Sequence, residues 1–338
     1  MLKGARVRIG SVGLACAAAV WGAAALAHAA ETELTTSNKG VHLKGAWLAP
    51  TVPPVGAPVV IIPGSGPTNR DGDNPLGVRA RSYALLAEGL AARGVPSLRI
   101  DKRGMFSSAA PGVDPNAVTI ELYAEDARAW AREAARKAGA PCAWLLGHSE
   151  GALVALAAAQ DSRAPICGVL AVSGPGRRLG QILREQLRAN PANGPILPQA
   201  EAAIAEVEAG RTVDVAALHP GLQPLFAAPV QPFLRSLFAQ DPAVLARQLK
   251  TPLLIVQGET DLQTSPADAE ALKAARPGAT RVTLPGVNHV LKHAPLDRAL
   301  NLATYADPSL PIAREVLDAV VTFVRTEGPP RPSGRSRR

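Results

Sequence analysis

An α/β fold, a mostly parallel sheet wrapped on both faces by helices, is what this 338-residue sequence predicts, and three observations carry it. Short β-branched or leucine-rich runs alternate with helical stretches along most of the chain. Several of those runs are apolar throughout instead of alternating, the pattern of strands buried on both faces of a parallel sheet. The third is local: Cys142-Ala143-Trp144-Leu145-Leu146 leads straight into Gly147-His148-Ser149-Glu150-Gly151, and an alanine-rich helical stretch over 152–160 leads out. That is Gly-x-Ser-x-Gly at a strand-to-helix turn, which holds a serine hydroxyl exposed above the sheet.

In chain order, Lys3, Arg6 and Arg8 precede an uncharged run from Ile9 to Leu26 and the small residues Ala27-His28-Ala29. This reads as a signal peptide over 1–29, cleaved near Ala29/Ala30, for an exported protein, periplasmic or secreted. A membrane anchor competes, but the run is only just long enough to span and too alanine-rich to stay in lipid, so no stable membrane insertion is expected after cleavage. Next, 31–37 and 41–48 form a pair of edge strands turning at Asn38-Lys39-Gly40. The β-branched run 59–62 is a buried strand ending at Pro63-Gly64. A helix over 83–92, with Leu85, Leu86 and Leu90 along one side, stops at Gly94. The strand 96–100 runs into Asp101-Lys102-Arg103-Gly104. Thr119 caps a long helix carrying Ile120, Tyr123, Ala127, Trp130 and Ala134 on its apolar side.

After the serine turn comes a strand over 166–172. The β-α rhythm then breaks into helical sequence, with Leu179, Ile182, Leu183 and Leu187, then Ala203, Ile204 and Val207, at helical spacing. The chain therefore divides into a body of 31–174 and 251–327 and a helical cap of 175–250 inserted after the strand that follows the serine turn. Phe226, Phe233 and Phe238 in the cap are candidates for an acyl pocket, against the plainer reading that they pack the cap onto the body. Strands over 252–256 and 281–284 and a helix over 312–325 complete the body. The Pro- and Gly-rich stretch 328–338 is read as a disordered basic tail.

A serine hydroxyl is a weak nucleophile until a base takes its proton, and the base needs an acid to orient it. In this architecture the chain order is serine, acid, histidine. Asp261 follows the strand 252–256, and His289 follows the last strand, both at carboxyl ends where sites form. Glu259 sits on the turn itself. His293, farther into the same loop, is the one competing ring, since His28 falls in the signal, His42 on an edge strand, His148 inside the serine turn and His219 in the cap. The developing oxyanion needs two donors: the N–H of Glu150 and an N–H of the loop Pro63-Gly64-Ser65-Gly66-Pro67, assigned to Ser65.

With these residues in view, the chain resembles the α/β-hydrolase superfamily. The runs Pro63 to Gly72 (Pro-Gly-Ser-Gly-Pro-Thr-Asn-Arg-Asp-Gly) and Asn288-His289-Val290-Leu291-Lys292 are similar to those of bacterial carboxylesterases of its serine-aminopeptidase-like branch. The resemblance covers roughly 41–326 and implies an α/β-hydrolase fold and cleavage of small-molecule acyl esters in preference to amides, with no metal or organic cofactor. Asp101 to Gly104 matches an Asp-x-Arg-Gly turn of that superfamily whose role is usually structural. Pro63 stands where many relatives carry a histidine before the oxyanion glycine. Arg70 and Asp71 are expected to pair and brace this loop, or Arg70 to meet an acidic group of the substrate.

An aminopeptidase, amidase, thioesterase or lactonase would use the same residues, and a non-catalytic binding protein on a hydrolase scaffold is the reading from another class. Nucleic acid is excluded as a partner: the formal charge is +8, but Lys3, Arg6, Arg8 and the tail's Arg331, Arg335, Arg337 and Arg338 account for nearly all of it. Cys142 and Cys167 start adjacent parallel strands, where they form either a disulfide or two buried thiols. Oligomeric state is not legible.

Overall fold

The computed structural model describes residues 31–328; the segment read as a signal peptide, and the tail beyond Gly328, lie outside the described residues. One eight-stranded sheet runs in the order β1-β2-β6-β3-β7-β8-β9-β10. Its strands are β1 (Glu31–Asn38), β2 (Val41–Leu48), β3 (Val59–Ile62), β6 (Ser97–Ile100), β7 (Ala143–His148), β8 (Ile166–Val172), β9 (Leu253–Gly258) and β10 (Thr280–Leu284). β2 pairs antiparallel with both β1 and β6, and every pairing from β6 to β10 is parallel. The β1–β2 turn is made by Lys39 and Gly40, both at positive φ (49° and 76°), the conformation a tight two-residue hairpin demands. A small ribbon, β4 (Asp73–Asn74) with β5 (Val78–Arg79), stands apart from the main sheet.

The helices are α1 (Ser82–Ala92), α2 (Ile120–Ala138), α3 (Glu150–Ala158), α4 (Leu179–Arg188), α5 (Leu197–Glu208), α6 (Gln231–Phe238), α7 (Pro242–Gln248), α8 (Pro266–Ala275), α9 (Arg298–Ala303) and α10 (Arg314–Thr326). The continuous apolar strands feed two cores through their period of two. Val60 and Ile62 of β3 face a cluster built with α2, α3 and α8, while Val59 and Ile61 face one built with α1 and α10. Thr119 caps α2 as its position suggests, accepting from the Leu122 N–H at 3.1 Å. The ribbon β4–β5 and the short helix α9 carry no strong periodicity and were not expected from sequence.

Helices α4 to α7 fill the stretch between β8 and β9. Of the two readings of the cap phenylalanines, the packing one fits their surroundings. Phe226 and Phe238 are 0% and 4% exposed and belong to the same apolar cluster as α2 and α3. Phe233 lies edge-on to Tyr123, 5.9 Å between centroids. The three rings therefore hold the helical insertion to the body, because an apolar face at helical spacing gains most by meeting another apolar face.

The two glycines of the serine turn are set by packing. A Cβ on Gly147 would overlap the Gly151 carbonyl, and one on Gly151 would overlap the Ile62 carbonyl of β3. Both obstacles are backbone, which cannot give way as a side-chain tip can. Gly151→Ala is expected to destabilise the fold by about 3 kcal/mol or to prevent folding, read from urea unfolding midpoints. A midpoint equal to that of the parent would contradict this packing.

Candidate functional site

Ser149 lies between β7 and α3 at φ 55°, ψ −125°. A non-glycine residue holds such a conformation only when its surroundings enforce it, and here the enforcement is visible. The Ser149 N–H donates to the Val172 carbonyl of β8 at 3.0 Å, and Gly64 presses on the other side, an added Cβ there standing 3.1 Å from the Ser149 Cβ. Turn, neighbouring strand and facing loop together fix the hydroxyl at the carboxyl end of the sheet.

Asp261 follows β9 and its side chain is fully buried. Its Oδ1 accepts from the Gln263 N–H at 2.7 Å and the Thr264 N–H at 3.0 Å, and its Oδ2 from the Thr264 hydroxyl at 3.0 Å. His289 Nδ1 approaches both carboxylate oxygens, at 3.0 and 2.8 Å. Burial alone would raise the Asp261 pKa, but the His289 charge and these hydrogen bonds outweigh it, and the carboxyl lies below its ordinary range. An ionised carboxylate only accepts, so Nδ1 carries the ring proton and Nε2 keeps its lone pair free. No hydrogen bond joins Ser149 Oγ to that nitrogen among the described residues; the ring lies against the serine turn, 4.7 Å from the His148 ring. The competing His293 is exposed and meets Glu315 instead, at 3.2 Å. Glu259 is exposed.

The His289 loop owes its shape to Asn288, whose side-chain amide donates to Thr304 Oγ1 at 2.7 Å and whose Oδ1 accepts the Lys292 N–H at 3.1 Å. Sequence reading passed over a second set of contacts. His148 Nε2 lies 2.8 Å from the His289 carbonyl oxygen, which can only accept, so Nε2 carries the proton. Its Nδ1 is then an acceptor for the Tyr83 hydroxyl at 2.8 Å, and that hydroxyl accepts the Gly64 N–H at 3.0 Å. The chain of contacts ties the Gly64 loop to the backbone of His289. Nothing local announces it, since Tyr83 and His148 are 65 residues apart and His148 and His289 are 141 apart. The one sequence signal is a histidine placed directly before the serine, at the buried end of a strand.

Burial, with the His289 charge next in weight, pulls the His148 imidazole down to about 3. An unfolded histidine titrates near 6.5, so between about pH 6.5 and 3 the unfolded chain takes up a proton that the folded one refuses. The sign follows: the stabilisation is complete above about pH 6.5 and is lost as pH falls through that window. His148→Asn is expected to flatten the fall in unfolding free energy between pH 6 and 4 by about 1.4 kcal/mol per pH unit. Urea titrations at several pH values read this slope, and parallel curves for the two proteins would contradict it.

The Gly64 loop, packed against Ser149, presents two unengaged amides among the described residues, those of Ser65 and Gly66. The Gly64 N–H is taken by Tyr83, whereas Ser65 is exposed and its N–H finds no acceptor among the described residues. The Glu150 N–H opens α3 and is equally unengaged, as the first amides of a helix are. Arg70 and Asp71 do brace this loop, but through other partners than one another. The Arg70 N–H donates to Asp101 at 2.8 Å, with its guanidinium 3.9 Å from the same carboxylate, and Asp71 pairs with Arg99 of β6. The Asp-x-Arg-Gly turn is closed by Arg103 on Asp126 at 3.0 Å. Among the described residues no group of histidine, cysteine and carboxylate side chains is placed to hold a metal ion.

Against known proteins, the Alpha/beta hydrolase family profile matches residues 59–304. The chain is similar to the esterase EstD of Thermotoga maritima, 28% identical over 237 residues, which make up 69% of this chain and 54% of that protein. It thus spans about half the length of the curated relative it matches. Among solved structures, a proline iminopeptidase of Mycobacterium smegmatis aligns at TM-score 0.57 and 15% identity, over 88% of this chain and 98% of that one. The Pyrococcus furiosus esterase Pf2001 aligns at 0.55 and 16%, over 89% and 92%. Est1E of Butyrivibrio proteoclasticus aligns at 0.52 and 17%, over 87% and 98%. At those identities the likeness is one of fold.

Proposed function

The chain belongs to the alpha/beta hydrolase family, and on that premise we propose that it is an exported serine esterase that cleaves carboxylic esters through an acyl-enzyme. The observation that carries this reading is the double approach of His289 Nδ1 to a buried, ionised Asp261, at 3.0 and 2.8 Å, beside the strained serine turn. With Nδ1 protonated, Nε2 is the ring's base. On substrate binding it closes on Ser149 Oγ, a contact that tightens in the substrate complex. Ser149 Oγ then attacks the acyl carbonyl, Nε2 takes its proton and returns it to the leaving alcohol, and water repeats the sequence to release the acid. The N–H groups of Ser65 and Glu150 receive the oxyanion of each tetrahedral intermediate.

Preference for esters is supported by the similarity to the Thermotoga maritima esterase EstD. Comparing p-nitrophenyl acetate and butyrate with aminoacyl p-nitroanilides tests it. Turnover of the esters with little on the anilides is expected, and the reverse order would make the chain an aminopeptidase with the same residues. Absence of turnover on every acyl substrate would favour a binding role.

Export is supported by the basic and apolar sequence of 1–29 and by the disulfide between Cys142 and Cys167, whose α-carbons lie 5.2 Å apart. Such bonds persist in oxidising compartments. The mass of the mature protein tests it: an N-terminus near Ala30 is expected, and retention of Met1 to Ala29 would contradict export by cleavage.

A further inference from the structure

Gly64 is held from both sides, and the second holder is a buried lysine. Lys102, just past the carboxyl end of β6, donates from Nζ to the Gly64 carbonyl oxygen at 2.7 Å. The same Nζ lies 3.8 Å from Glu150 Oε1 and 5.7 Å from the centre of the Tyr123 ring. Lys102 and Glu150 are 6% and 3% exposed. Burying a lysine is unfavourable, and burial lowers its pKa with only partial compensation from Glu150. An apolar side chain of similar length would fill the space against Tyr123 without that penalty. What it would not supply is a donor to Gly64.

The geometry of the peptide bond gives that donor a use. A trans peptide unit carries its C=O and its N–H on opposite sides, and the described chain has no cis peptide bond. Drawing the Gly64 carbonyl inward to Lys102 therefore turns the Ser65 N–H of the same plane outward, to the exposed face of the loop beside Ser149. A donor on the carbonyl oxygen also polarises the peptide and strengthens its N–H as a donor. Glu150, which contributes the other free amide, is held through its carboxylate by the same Nζ.

We propose that Lys102 is a positioning residue of the oxyanion hole, orienting the Ser65 N–H through the Gly64 carbonyl and the first turn of α3 through the Glu150 carboxylate. The proposal rests on the hydrolase reading above, and its test separates the two. Wild type, Ser149→Ala, Lys102→Met and Lys102→Arg are compared on an oxoester and on its thionoester, whose sulfur is a poor acceptor for oxyanion-hole donors. The hydrolase reading requires an active wild type and an inactive Ser149→Ala; failure there sinks that reading before Lys102 is considered.

Lys102→Met is expected to lower kcat on the oxoester about 10²-fold, the scale of losing one oxyanion donor. KM should move less than about threefold, and the oxoester-to-thionoester rate ratio should fall at least about tenfold, because sulfur gains less from the donor being lost. Lys102→Arg, which keeps a donor, should recover part of both. Where the single variant fails to fold, Lys102→Met/Glu150→Gln removes the stranded buried charge and is read in the same way. A kcat within about threefold of wild type, an equal loss on both esters, or failure of both variants to fold would overturn the proposal, the last by assigning Lys102 to stability alone.

Discussion

Alanine at position 149 is expected to lower kcat on p-nitrophenyl esters by about 10⁶-fold, the scale seen when the nucleophile of such a site is removed. No other hydroxyl occupies the serine turn, and the base has no second proton to take from a nucleophile there. Stability depends on the Cβ and not on the hydroxyl. Ser149 is held at φ 55°, a region that costs a residue with a Cβ about 1–3 kcal/mol, and alanine keeps that Cβ. Ser149→Gly relieves the strain and should be as inactive as Ser149→Ala while unfolding about 1 kcal/mol harder than it. Urea midpoints and ester turnover on the two variants test both halves. Equal midpoints would argue that the turn is relaxed, and residual turnover within about 10²-fold of the parent would assign the nucleophile elsewhere.

Asp261→Asn should follow at about 10⁴-fold in kcat with the fold intact. The asparagine oxygen can keep the N–H bonds from Gln263 and Thr264, at 2.7 and 3.0 Å in the parent, and the Thr264 hydroxyl can turn to accept from the new amide. What is lost is the nearer acceptor of the His289 Nδ1 proton, the oxygen at 2.8 Å in the parent, which an N–H replaces. The ring is driven to the tautomer with Nε2 protonated, the wrong nitrogen to act as base. Loss of kcat with KM and Tm nearly unchanged is the expected signature; a Tm falling in step with activity would mean that Asp261 acts only through folding.

The parts of this molecule that were legible in sequence are those whose determinants are local. Gly147 to Gly151 encode a turn whose steric demands fall within five residues. The meeting of Asp261 and His289 was legible because each follows an apolar strand in an order that the architecture prescribes. Thr119 marked the start of α2 by its own side chain. What escaped depends on contacts that only the folded sheet creates. Lys102 reaches Gly64 across 38 residues, and Tyr83 reaches His148 across 65. Phe226 and Phe238 look alike in sequence whether they face a substrate or a neighbouring helix, and the core claimed them. Arg70 and Asp71 looked like partners because they are adjacent, yet in the folded turn they meet Asp101 and Arg99 instead. A lysine just past the carboxyl end of a buried strand was the signal available for Lys102.

The central claim is that Ser149 is a nucleophile whose proton His289 takes. Intact-mass analysis after treatment with a fluorophosphonate tests it most directly, because only an activated serine is phosphonylated quickly. One adduct per chain is predicted, mapping to the peptide that contains Ser149, absent from Ser149→Ala and formed at least about 10³-fold more slowly in His289→Ala. An adduct on another residue, labelling indifferent to the loss of His289, or ester turnover that persists with no adduct at all would contradict the account.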